Sequence, residues 1–209
     1  MRRLALVSVV AFLATLTAAD AMATALDLGS DRPVRRRWER SRASGSTGVK
    51  DLTIVRVHAG LSAPMGNFGD RYGSGFGFGG SIGYGVGENA VISGSISHHQ
   101  FDHDVFSNFD ASITPITVNA DFALPSGGRA VPWVGFGAGV YHVSESVDMG
   151  STTVTTSENN MGLNMGVGFG APISERTLFG AGMKFHYVAG DQLIDTPFFT
   201  FQVGFGFIL

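Results

Sequence analysis

Imidazoles and carboxylates crowd one stretch of the chain, His98, His99, Asp102, His103 and Asp104, and these are donor types that Zn, Cu or Ni would take. The spacing works against a site. If 90–101 is a strand, His98 and His99 point to opposite faces and at most one of them joins His103. What is left for a metal is His103 with Asp102 and Asp104, in a segment that reads equally as a polar surface loop, so neither metal nor cofactor is expected. Nucleophilic chemistry fares no better. With no cysteine, a catalytic or metal-binding thiolate is excluded. His142 and Ser144 place a base two residues from a hydroxyl but have no obvious orienting acid. The run GSGFGFGG (73–80) resembles a phosphate loop in composition only, because no helix follows it to present backbone amides.

The elements around these residues are easier to read. In the closing stretch FFTFQVGFGFIL, the positions Phe199, Phe201, Val203, Phe205, Phe207 and Leu209 are large and apolar, while Thr200, Gln202, Gly204 and Gly206 are polar or small. That period of two is one face of a strand. The same alternation predicts strands at 52–63, 74–86, 90–101, 111–124, 131–144 and 176–188, and one in which Met161, Leu163, Met165, Val167, Phe169 and Ala171 alternate with Gly162, Asn164, Gly166, Gly168 and Gly170. In 131–144 the phase is contested, and the set Val134, Phe136, Ala138, Val140 is taken as outward against Trp133, Tyr141 and Val143.

Upstream, Arg2 and Arg3 precede an uncharged run from Leu4 to Leu16 and then small residues, the pattern of a secretory signal peptide over 1–25. Residues 26–50 lack both periods and hold seven of the fourteen basic residues, a basic flexible linker that either attaches to anionic lipid or cell-wall polymer or is simply solvated. From 51 to 209 there are five basic and thirteen acidic residues, a net charge of −8. With export expected, no nucleic-acid partner is expected.

Thirty glycines, seventeen phenylalanines and only 15% charged residues, without a mature segment suited to a membrane helix, fit a barrel whose apolar stripes face lipid while small residues face the axis. The fold expected over 51–209 is all-β, an eight-stranded antiparallel up-and-down transmembrane β-barrel. The longer connections, 64–73, 102–108, 145–158 and 189–196, fall on one end, and the short turns share the other with both termini. The short-turn end is expected to face the periplasm. Arg56, His58, Asn119, Asp121, Lys184, His186 and Gln202 then point inward as a polar plug or a small pore; an interior of eight strands is just filled by side chains, which favours the plug, with Arg56 or Lys184 paired to Asp121. A lipocalin would invert this polarity and place the apolar face around a ligand.

The signal peptide, stretches such as SGFGFGGSIGYGVG and VGFGAGVYHV, and the aromatic final strand resemble the OmpA-like and OmpX-like outer-membrane barrels over 52–209. The resemblance implies a non-enzymatic, monomeric outer-membrane protein, contributing to envelope integrity or surface interaction through its loops, with a narrow porin-like channel as the alternative. It also implies contact with outer-membrane lipid and lipopolysaccharide, and recognition by the barrel insertion machinery through Phe205, Phe207 and Leu209, although that family usually ends in Phe. Lipid A deacylases share the barrel but need His and Ser two apart on a late strand; in the nearest match, His186-Tyr187-Val188, position 188 is Val, so no nucleophile stands where that chemistry needs one.

Overall fold

The structure, a computed structural model, describes residues 48–102, 109–149, 152–189 and 196–209. The proposed signal peptide, most of the basic linker, and His103 and Asp104 lie outside them, as does the side chain of Asp102. Eight strands form the wall: β1 (Thr53–Pro64), β2 (Gly75–Gly85), β3 (Ala90–Asp102), β4 (Phe109–Ala123), β5 (Val131–Asp148), β6 (Thr153–Pro172), β7 (Thr177–Val188) and β8 (Phe198–Ile208). Each pairs antiparallel with its neighbours in sequence, and β1 pairs with β8 from Ile54 opposite Ile208 to Pro64 opposite Phe198, so the sheet closes on itself.

Alternation decides which face looks out. Leu61 and Val118 are each 64% exposed and Phe136 is 60% exposed, whereas Ser62, Asn119 and Tyr141, one to five positions away on the same strands, are buried. The outward stripes circle the barrel, with Phe78 and Ile82 on β2, Ile92 and Ile96 on β3, Met161 to Met165 on β6, and Val203, Phe205 and Phe207 on β8. A soluble protein does not leave such a belt in water; a membrane barrel requires it. The β5 phase is the one expected, with Val134, Phe136 and Val140 outward and Trp133, Tyr141 and Val143 inward.

Two expected connections are built differently. Much of 145–158 is strand, because β5 runs to Asp148 and β6 starts at Thr153, with Val147 opposite Val154 and Ser146 bonded to Thr155 at 3.0 Å. Its Ser and Thr residues suggest a loop by polarity, yet Thr and Val are β-branched and favour a paired strand. The segment 64–73 turns into the barrel mouth. A four-residue helix, α1 (Gly66–Gly69), carries Phe68 inward, and Phe68 and Tyr72 are both buried.

Pro115 marks a local fault. It has no N–H to give, and the β3–β4 ladder omits Ser97 opposite Pro115 and His98 opposite Thr114 before resuming in the same register. A side-chain bond of 3.0 Å between His98 and Thr114 spans the gap.

The belt gives the first prediction. In water a change at an exposed Val is close to neutral, but at lipid depth Val118→Arg is expected to cost about 2–4 kcal/mol. Urea unfolding in lipid vesicles reads the difference; a cost below about 0.5 kcal/mol would assign this face to water.

Candidate functional site

The candidate site is the lumen, and every inward residue expected from the sequence reaches it. Arg56, His58, Asn119, Asp121, Lys184, His186 and Gln202 all line one cavity of about 230 Å³. They occupy layers along the axis.

At the loop end the barrel is stoppered by an apolar cluster of Phe68, Tyr72, Phe101, Ala111, Ile113, Tyr141, Val143, Val188 and Phe198. Phe68 meets Tyr72 at 5.0 Å between centroids and Phe101 edge-on at 5.1 Å, while Phe101 meets Phe198 edge-on at 5.6 Å. These are favoured aromatic geometries. Burial, with Glu145 bonded to its hydroxyl, pushes Tyr72 up to about 12, so it stays a neutral donor tying the inward loop to the projecting β5. The alternation placed most of these side chains on the inner face, but the infolding of Phe68 and Tyr72 depends on a turn that carries no periodic signal.

Beneath the stopper lies a histidine layer. The His186 ring stacks on Phe198 at 4.5 Å with 3° between planes; its Nδ1 is 3.1 Å from the Tyr141 hydroxyl and its Nε2 is 3.5 Å from that of Thr200. His99 Nδ1 bonds Ser62 at 2.9 Å and its Nε2 bonds Ser97 at 3.2 Å. Ser62 and His99 thus form a hydroxyl–imidazole pair that no sequence spacing announces, 37 residues apart. A carboxylate would be needed on the second nitrogen to orient the ring for nucleophilic work, and Ser97 stands there instead. His98 faces the opposite way from His99, as the strand demands, and among the described residues no group of three or more His, Cys, Asp or Glu is arranged to hold a metal.

Nearer the short-turn end sits the charged layer. Arg56 Nη1 donates to Asp121 Oδ2 at 2.7 Å, the first of the two pairings expected for Asp121. Asn119 Nδ2 donates to Ser95 at 2.9 Å and Thr117 at 3.1 Å, and Ser95 and Thr117 bond each other at 2.8 Å. Glycine makes the room: Gly135 and Gly137 stand opposite Asp121 and Asn119, and a Cβ on either would strike the partner's side-chain oxygen. Trp133 lies over Gly168 and Gly182, where a Cβ would come within 2.7 Å of its ring in each case. Below it the cavity reaches Val49, Asn89, Val131 and Pro172 at the barrel's short-turn rim. The described end of the basic segment lies there too, as Val49 N–H donates to Glu88 and Asp51 N–H to Gly85.

The chain matches the outer membrane protein beta-barrel domain over residues 9–207. It belongs to that family. It is therefore an outer-membrane barrel, and the outward belt is its lipid-facing surface. Among solved structures it is similar to Neisserial surface protein A, with 16% identity over 74% of this chain and 96% of that one and a TM-score of 0.59. Ail, the attachment invasion locus protein of Yersinia pestis, gives 16% identity, 77% and 99% coverage and a TM-score of 0.52. OprG from Pseudomonas aeruginosa gives 15%, 78% and 99%, and 0.52. At these identities the likeness is one of fold. No curated protein matches the chain.

The ion pair gives the second prediction. Removing one partner leaves a charge in the wall, so Asp121→Asn is expected to cost about 1–3 kcal/mol, the low side reflecting a partly hydrated Arg56. The double variant Arg56→Met with Asp121→Leu should recover most of it. Denaturant midpoints in lipid vesicles check both; equal loss in the single and double variants would contradict the pairing.

Proposed function

We propose that this is a non-enzymatic, non-conducting, monomeric outer-membrane protein that contributes to envelope integrity or surface interaction through its loop end. The observation that carries the reading is the apolar stopper, in which a loop segment folds back to fill the mouth from Phe68 to Phe198. A pore for solutes needs a continuous wet path, and a cluster of fully buried aromatic and aliphatic side chains is the opposite of one. What is left for recognition is the rim. There the β5–β6 hairpin projects with a paired Ser and Thr surface beside the ends of β3, β4, β7 and β8.

The apolar belt suits outer-membrane lipid, and the short-turn end would face the periplasm. Phe205, Phe207 and Leu209 lie on the lipid side of the closing strand, all well exposed, where the barrel insertion machinery could read them. The narrow-channel reading retains one supporting feature, the cavity open at the short-turn rim, but that cavity ends beneath the stopper.

Single-channel recording on the refolded protein in planar bilayers separates the two. No steady unitary steps are expected; reproducible steps would reject the stopper and favour the pore.

A further inference from the structure

We propose that the lumen is a binding site for a small oxyanion, phosphate or a short carboxylate, held by Lys184 and entered from the short-turn end. The argument begins with a charge count. Among the described residues two basic side chains, Arg56 and Lys184, line the cavity against one carboxylate, Asp121, and Arg56 already holds that carboxylate at 2.7 Å. The Lys184 side chain has Asp121 and Arg56 as its electrostatic neighbours but makes no side-chain hydrogen bond or ion pair of its own among the described residues. One cation in a wall surrounded by hydrocarbon is thus left without a counter-charge, a costly arrangement unless something supplies it.

The groups beside it are of the right kind. His58 and Gln202 line the same cavity, and neither makes a side-chain hydrogen bond among the described residues. Among the described residues no fully buried side-chain nitrogen or oxygen lacks a partner, so these unpaired heads open into the cavity rather than being sealed in the wall. The Lys184 stem is packed against Gly166, where a Cβ would come within 2.6 Å of its Cγ, so the wall is cut back to admit the side chain. An ammonium, a carboxamide and an imidazole around a space of 230 Å³ offer donors to an anion's oxygens, with room for several waters at about 30 Å³ each. The apolar stopper closes the loop end, which leaves the short-turn rim as the entrance. None of this rests on the function proposed above.

The test is a titration of the full chain, refolded in lipid nanodiscs, with inorganic phosphate and separately with acetate. Ionic strength is held with sodium chloride while amide shifts are followed. Saturable shifts at Gly166, Lys184 and Gln202 are expected with at least one of the two anions. They should be retained by Lys184→Arg and weakened about tenfold or more by Lys184→Met, the effect of losing one charge-assisted hydrogen bond. Absence of saturable shifts at these positions in the unmodified chain would overturn the proposal whether or not the variants fold. So would shifts confined to the arginine-rich segment 26–50, or equal binding by Lys184→Met.

Discussion

A backbone amide in hydrocarbon has no water to bond, and each one left unpaired costs several kcal/mol. That constraint organises the whole molecule. A sheet can satisfy it only by having no edge, so β8 must return to β1, and it does so along the run from Ile54–Ile208 to Pro64–Phe198. Once the sheet is closed, the pleat sends alternate side chains to lipid and to the axis, and one wrong step in register would exchange the two sets. The interruption in the β3–β4 ladder follows the same logic. Pro115 removes a donor, and the β3–β4 ladder gives up two pairs around it while His98 and Thr114 bond across the gap.

Closure at eight strands creates a second problem, an interior too narrow to be a water-filled channel and too wide to close without side chains. The chain answers it differently along the axis. At the loop end it uses bulk, with aromatic rings packed edge to face and a short helix folded in to supply Phe68. In the middle it uses hydrogen bonds among His99, Ser62, Ser97, His186, Tyr141 and Thr200. Toward the short turns it uses charge, and cuts the wall back to glycine where Asp121, Asn119 and Trp133 need space. A polar group is tolerated at this depth because each bonded pair removes the cost of burying its members singly.

Period two made most of this visible before any coordinates. The strand set, the outward phase of β5 and the inward residues from Arg56 to Gln202 all follow from alternation, since a wall with lipid on one side allows no other arrangement. The elements that escaped are those where side-chain polarity and backbone preference disagree. Ser146, Thr153, Thr155 and Thr156 are polar and so resemble a loop, but they are β-branched or small and extend the ladder above the membrane belt. Phe68 and Tyr72 sit in an aperiodic turn, and nothing local says that it folds inward rather than outward. The Ser62–His99 pair is likewise a property of closure, which brings β1 and β3 near each other across β2.

The central claim is that the apolar stripes meet hydrocarbon and the polar set meets the axis. The chain has no cysteine, so single cysteines placed at each position from 116 to 122 carry a nitroxide label unambiguously. Power-saturation measurements in lipid vesicles then read oxygen accessibility along β4. The account predicts high oxygen accessibility at Ile116, Val118, Ala120 and Phe122 and low values at Thr117, Asn119 and Asp121; the reverse phase, or no alternation, would contradict it.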